Sequence, residues 1–414
     1  MGFQNGCKYL WIKWSGFGRI NVSESPTNQE LNCMRIHFKT LSLIIIILSP
    51  SELFSAAKLW EVLPRAFPAF TRCFTTSAIQ PLRAIQPLLS NVEKEFNKAS
   101  IPFVLPQEVN STLVTIRDGL QTEKKVDSEV RARLMGYEAR IVSGLVYRQE
   151  LGLCVKQSPV SQPDLLIRAM IEEEMSPTAE RMSILVANQR GFEDFVKLFQ
   201  TLPPEWQAAL EVAFFTSACP EFLKRNTGFS SIEHHLKTAE QIAKDASRLG
   251  VLFKRAFVSM AFRSPFSEED LTDRAFGICR ELYGMGYTEV VPADTNGIAS
   301  VPQVIKLFHA LRKDGIPKDC LGFHGHDLGN EIEAVVASLP FVTTVDATVL
   351  GIGGCPFSPG SPGNMNVRII RDTLGRLGVD TGLQFTSHNG LNVLKSAERA
   401  FRYALNGHGV EILE

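Results

Sequence analysis

Two histidines one residue apart, in His324-Gly325-His326-Asp327, carry the first chemical suggestion. Side chains alternate in an extended segment, so both imidazoles point the same way and can share one cation. Arg117-Asp118-Gly119-Leu120-Gln121 sets a fixed positive charge beside a carboxylate. A His, His and Asp set needs no thiolate, which suits Mg2+ or Mn2+ better than zinc. Gly351-Ile352-Gly353-Gly354-Cys355-Pro356-Phe357-Ser358-Pro359-Gly360-Ser361-Pro362-Gly363-Asn364 is too rich in glycine and proline to be helix or strand. It reads as a mobile lid that carries the thiol of Cys355 over a polar site, with Asn364 at its far hinge offering a neutral oxygen to the metal. Asp294-Thr295 adds another carboxylate. Each feature has a plainer reading: a salt bridge at a turn for Arg117-Asp118, an inert apolar residue for Cys355, a helix N-cap for Asp294. Only their convergence on one surface would make a site.

A repeating fold is needed to bring residues so far apart together. Beyond Pro102, strand-like apolar runs at residues 113–116, 183–186, 210–215, 253–260, 288–292, 320–323 and 343–349 alternate with amphipathic stretches such as 231–249 and 271–285. An eighth strand belongs between residues 126 and 180, where the pattern is muddled. Eight β/α units predict a (β/α)8 TIM barrel over residues 105–400, with an atypical second unit, and place the active residues at the C-terminal ends of the strands. A doubly wound open sheet is the alternative, but no GxGxxG follows the first strand.

The 414 residues include 43 basic and 44 acidic side chains, a net charge of −1 that gives no global field toward nucleic acid or anionic lipid. A small-molecule partner fits better. Eight cysteines with no CxxC pair argue against a zinc ribbon or a disulfide scaffold. The apolar run from Leu41 to Leu48 is too short to cross a bilayer as a helix, so no membrane span is expected. Residues 1–60 form no readable domain and read as an unassigned leader. Residues 61–100 have the composition of a mitochondrial transit segment, with Arg65, Arg72 and Arg83 among aromatic and hydroxyl residues and no acid between Val62 and Val92. A mitochondrial matrix location is the expectation, with the cytoplasm as the alternative. Residues 401–414 form a C-terminal tail.

The Arg117-Asp118-Gly119-Leu120-Gln121-Thr122-Glu123-Lys124 motif and the loop with its nine-residue step from Cys355 to Asn364 resemble the hydroxymethylglutaryl-CoA lyase family. The resemblance runs over residues 111–383, with 127–180 excepted. It implies a metal-dependent barrel that cleaves 3-hydroxy-3-methylglutaryl-CoA to acetoacetate and acetyl-CoA, an acyl-CoA substrate and a homodimer. It also implies Asp118, His324, His326 and Asn364 as ligands of Mg2+ or Mn2+, Arg117 as enolate stabiliser with Gln121 beside it at the substrate, Asp294 in proton transfer, and Cys355 as the loop's catalytic thiol. The isopropylmalate and homocitrate synthases share the arginine-aspartate and double-histidine motifs but lack the cysteine loop, and a barrel without catalysis is a third reading. Two departures stand out. The family's glutamate at the end of its second strand, in a motif ending Ser-Phe-Val-Ser-Pro, has no readable counterpart, with only an echo at Ser158-Pro159-Val160-Ser161. Leu328-Gly329-Asn330 replaces a tyrosine-glycine-glutamine.

Overall fold

The computed structural model describes residues 8–15, 19–23, 42–47 and 79–407, apart from 124–125, 143–145, 156–157, 330, 359 and 384–387. The chain divides into two units, Met1–Pro81 and Leu82–Glu414. In the first, where the sequence shows no readable domain, strands Lys8–Ser15, Arg19–Ser23 and Ser42–Ile47 pair antiparallel with Lys8–Ser15 in the middle. The isoleucine run supplies the third strand, as β-branched residues favour extended backbone.

The second unit is a closed barrel of eight parallel strands. In chain order they are β1 (Asn110–Leu113), β2 (Val146–Leu153), β3 (Ala179–Val186), β4 (Leu210–Ser217), β5 (Phe253–Ser259), β6 (Glu289–Asp294), β7 (Gly322–Gly325) and β8 (Thr344–Ala347). Helices follow the strands, and the closure of the sheet on itself excludes the open-sheet alternative. The missing eighth strand is β2. Its sequence, VYRQELGL, hid it because Arg148, Gln149 and Glu150 occupy buried positions where an apolar run would be expected. The first strand lies slightly earlier than its apolar run predicts: pairing ends at Leu113, and Thr115–Gly119 winds into one π-helical turn.

Helix α1 (Ile79–Lys98) falls within the stretch of transit-like composition, yet it buries Val92 and Phe96 completely. Phe96 stacks on Phe341, with ring centroids 5.8 Å apart. The later helices used below are α2 (Ser128–Ala139), α3 (Ile232–Leu249), α4 (Val301–Lys313) and α5 (Glu331–Ser338). Local sequence sets their ends. Ser231 caps α3 by accepting from the His234 amide at 3.2 Å, Gly250 closes it at φ +91°, and Ser300 with Gln303 forms a capping box on α4.

Ionic groups fill part of the barrel interior. Arg148 pairs with Glu211 at 2.8 Å and also with Glu289, while Arg255 meets Asp346 at 2.7 Å, all of them buried. Such pairs fix geometry more than they add stability, because desolvation cancels much of the Coulomb gain.

His235 on α3 is a structural histidine. Its ring nitrogens lie 3.2 Å from Thr216 Oγ1 and 3.2 Å from the Ala187 carbonyl, and burial lowers its pKa to about 4. Between pH 6.5 and 4 the unfolded chain therefore binds a proton that the folded chain refuses. Stability is full above about pH 6.5 and falls as pH drops toward 4, by ~2 kcal/mol between pH 7 and 5. Urea unfolding at those two pH values should show that difference in the wild type and much less in His235→Gln; an equal difference in both proteins would contradict the assignment.

Candidate active site at the barrel mouth

The π-helical turn after β1 buries all five of its residues, Arg117 and Asp118 among them, and sets both at the C-terminal end of the barrel. Asp118 Oδ1 accepts from Arg117 Nη1 at 2.5 Å, while Arg117 Nε donates to Glu150 Oε2 at 2.7 Å. Burial works against the Arg117 charge, but Glu150 and Asp118 outweigh it and hold its pKa above the ordinary value. Burial also works against ionised Asp118. Arg117 foremost, then His324 and His326, overcomes this and lowers the Asp118 pKa below the usual range.

The two histidines lie on β7 and just beyond it. His324 Nδ1 sits 3.0 Å from Asp346 Oδ2, and His326 Nδ1 sits 2.9 Å from the Pro362 carbonyl. Each Nδ1 must donate to its oxygen, so each Nε2 presents a lone pair. Those two Nε2 atoms face each other at 3.1 Å, and Asp118 Oδ2 lies 3.6 Å from one and 3.8 Å from the other. Burial first, and the facing His324 ring second, lower His326 to about 4, so its imidazole is neutral, the form that binds metals. Asp118 Oδ2 and Asn364 Oδ1 are buried with no hydrogen-bond partner. Three acceptor atoms, the two Nε2 and Asp118 Oδ2, thus converge, which is costly unless a cation fills the space. Among the described residues, Asp118, His324 and His326 form a group whose ligand atoms all lie within 4.8 Å of one another. The donor set fits a divalent cation.

Glycine permits this crowding. Gly353 has φ +102°, and a Cβ there would come within 2.6 Å of both Asn364 Nδ2 and the Asp118 carbonyl. The loop is also less free than its composition suggests: Ser361 Oγ donates to the Thr295 carbonyl at 2.7 Å, and Asn296 Nδ2 donates to Ser358 Oγ at 2.8 Å. The expected mobile lid is, in this structure, tied to the end of β6. Gln121 Nε2 donates to Asp118 Oδ1 at 2.5 Å and to the Gly354 carbonyl at 3.1 Å, linking the turn to the loop. Asp294 ends β6, and its Oδ2 accepts from the Ala299 amide at 2.6 Å. Burial raises its pKa, and Glu331 at the start of α5 hydrogen-bonds to it. Burial and then Asp294 hold Glu331 well above the carboxylate range, so Glu331 is the protonated donor of this pair.

All eight sequence-predicted site residues therefore gather at one end of the barrel. Four others escaped the sequence reading. Glu150 fills the place at the second strand for which no glutamate was readable, and the clue was the alternation of Arg148 and Glu150 on one face of VYRQELGL. Asp346 holds His324 and is itself held by Arg255, and Glu331 holds Asp294; single acidic or basic residues in strands and helix starts gave no signal of their own.

The sequence profile of the HMGL-like family matches residues 109–392, which is the barrel. The chain belongs to the HMGL-like family. Among its curated relatives, the zebrafish (Danio rerio) "3-hydroxy-3-methylglutaryl-CoA lyase, cytoplasmic" is 29% identical over 282 residues, covering 67% of this chain and 79% of the relative. The chicken (Gallus gallus) "Hydroxymethylglutaryl-CoA lyase, mitochondrial" is 28% identical over 292 residues, covering 67% and 89%. The crystal structure of the HMG-CoA lyase from Brucella melitensis superposes with a TM-score of 0.62 at 25% identity, covering 73% of this chain and all of that one. As an HMGL-like protein, the chain shares a metal-dependent barrel architecture, and its Asp118, His324 and His326 group is the possible metal site.

Cys355 of this HMGL-like chain is half-buried, and burial raises its thiol pKa to about 12. It is held as a protonated thiol, a proton donor rather than a ready nucleophile. Iodoacetamide should therefore modify Cys355 slowly at neutral pH, with a rate that rises about tenfold per pH unit from 7 to 10, following the thiolate fraction. Mass spectrometry of the Cys355 peptide checks this; a rate that levels off below pH 9 would contradict it.

Proposed function

We propose that the protein is a hydroxymethylglutaryl-CoA lyase that cleaves 3-hydroxy-3-methylglutaryl-CoA to acetoacetate and acetyl-CoA with Mg2+ or Mn2+. The observation that carries this reading is the convergence of Asp118 Oδ2 and the Nε2 atoms of His324 and His326 beside a guanidinium already held by Glu150. Cleavage requires the tertiary alcohol to lose its proton, the adjacent carbon–carbon bond to break, and its electron pair to pass into the thioester as an enolate. Asp118, His324, His326 and Asn364 would hold the divalent cation, which would supply Lewis-acid polarisation of the alcohol. Asp294, the hydrogen-bond acceptor of Glu331, takes the alcohol proton. Arg117, fixed in charge and direction by Glu150, holds the thioester oxygen as negative charge develops on it. Gln121 orients the turn and the loop around the substrate. The Cys355 thiol gives its proton to the enolate carbon, so one proton leaves oxygen and one arrives at carbon, and the tied loop excludes water from the intermediate.

Glu150 on β2, paired with Arg117, supports the lyase reading over a barrel without catalysis. The names of the relatives support the lyase over the synthases. The test is direct: purified protein, Mg2+ and the thioester should yield acetoacetate and acetyl-CoA in equal amounts. Free coenzyme A without acetoacetate, or no product at all, would overturn the reading. Residues 61–100 carry the transit-like composition, and with a relative described as mitochondrial they support import into the mitochondrial matrix, checked by locating the tagged full chain in cells. No helix of the described residues is long and apolar enough to cross a membrane. A homodimer is the proposed assembly, checked by sedimentation.

A further inference from the structure

A buried carboxyl behind the site is not used by the chemistry above. Glu138, near the end of α2, is fully buried beneath the mouth. One of its oxygens accepts a hydrogen bond from Thr115 Oγ1, and Oε2 accepts from Gln149 Nε2 at 2.9 Å. Each of those partners leads on to a working part of the site. Thr115 opens the π-helical turn that carries Arg117 and Asp118, and its Oγ1 also accepts from the Val349 amide at 2.9 Å. Val349 lies between β8 and the Cys355 loop. Gln149 precedes Glu150, the carboxylate that holds Arg117, and is itself pinned by Thr178 Oγ1 at 2.6 Å.

We propose that Glu138 is a positioning residue for the reaction, a single buried hub that keeps the Arg117 turn, the Glu150 strand and the root of the Cys355 loop in mutual register through Thr115 and Gln149. A carboxylate suits this role because it accepts along several lone-pair directions at once, and the groups aimed at it are donors. The chain holds it at a thermodynamic disadvantage. Burial raises the Glu138 pKa to about 7, against the hydrogen bonds from Thr115 and Gln149 that favour the ion and with Glu150 adding to the rise. Ionising it at pH 8 therefore costs folding stability, whereas a glutamine at the same place would not carry that cost. A residue kept only for stability would not be chosen this way. The amide, however, presents N–H groups toward Gln149, so the junction must shift.

This inference rests on the lyase reading for its kinetic arm and not for its labelling arm. Four variants are compared with the wild type at pH 8: Glu138→Gln, Thr115→Val, the double variant, and Thr115→Ser, which retains the hydroxyl. Glu138→Gln and Thr115→Val are each expected to lower kcat at least about tenfold with KM within about threefold, and the double variant to be little worse than either, because both break one junction. Thr115→Ser should retain most of the wild-type kcat. Thermal unfolding of Glu138→Gln should match or exceed the wild type. Iodoacetamide labelling of Cys355, followed by mass spectrometry, should accelerate several-fold in Glu138→Gln and Thr115→Val as the loop root loosens. Full kcat with unchanged labelling in Glu138→Gln, additive losses in the double variant, or a kcat loss matched by a loss of folded protein would each overturn the proposal. If the wild type cleaves no thioester, the lyase reading fails alone, and the labelling rates still decide whether Glu138 sets the loop.

Discussion

Replacing Arg117 by glutamine should lower kcat by about 10²–10³-fold, the range seen when one preorganised donor to a developing oxyanion is removed. The guanidinium is aimed by two carboxylates, Glu150 on one side and Asp118 on the other, and it stacks 5.5 Å over the Phe257 ring, so its direction is set before substrate arrives. Its charge matters most once electron density has moved onto the thioester oxygen, so KM should change far less than kcat. The sign of the effect on the metal is also fixed. Arg117 is the nearest cation to Asp118, and removing it leaves the carboxylate more attractive to Mn2+, so metal binding should be as tight or tighter. Arg117→Lys keeps the charge but cannot reach Glu150 and Asp118 with a planar fork, and it should recover only part of the rate. Steady-state kinetics with Mn2+ titration on all three proteins checks this; loss of metal binding without a selective fall in kcat would reduce Arg117 to a structural partner of Asp118.

His326→Ala should weaken Mn2+ binding by about 100-fold or more and remove turnover at micromolar metal, since it deletes one of the converging lone pairs and leaves only Asp118, His324 and Asn364. The fold should survive. His326 is joined to the barrel through its backbone, its amide donating to the Asp294 carbonyl at 3.2 Å, and that bond does not depend on the imidazole. Calorimetric titration with Mn2+ and far-ultraviolet circular dichroism together check the claim. Wild-type affinity in the folded variant would contradict it.

Much of this site is legible before folding because its chemistry sits on short local patterns. Two histidines at a spacing of two, an arginine beside an aspartate at a strand end, and a glycine-rich segment carrying one cysteine each survive as local signals. The barrel is legible for a similar reason, since seven of its strands are apolar runs bounded by turns. Glu150 was hidden by the physics of the barrel interior. There, Arg148, Glu211, Arg255 and Glu289 compensate one another across four strands, so β2 has no hydrophobic run to announce it. Such compensation is nonlocal, and no window of sequence contains it. Asp346 is invisible for the same reason: its value lies in the Nδ1 proton of His324, 22 positions earlier in the chain. Glu138 and Glu331 act only through partners that the fold delivers. Cys355 shows the converse case, for its loop was readable but the tethers through Ser358 and Ser361 that hold it to β6 were not.

The central claim is that this mouth breaks a carbon–carbon bond through a thioester enolate, and one experiment reaches it most directly. The protein is incubated with 3-hydroxy-3-methylglutaryl-CoA and Mg2+ in D2O, and the acetyl-CoA formed is analysed by mass spectrometry at early times. The account predicts acetyl-CoA bearing one solvent-derived deuterium in its methyl group, formed together with acetoacetate and lost when the metal is chelated. Release of free coenzyme A with the acyl carbon chain intact, or product formation indifferent to chelation, would contradict it.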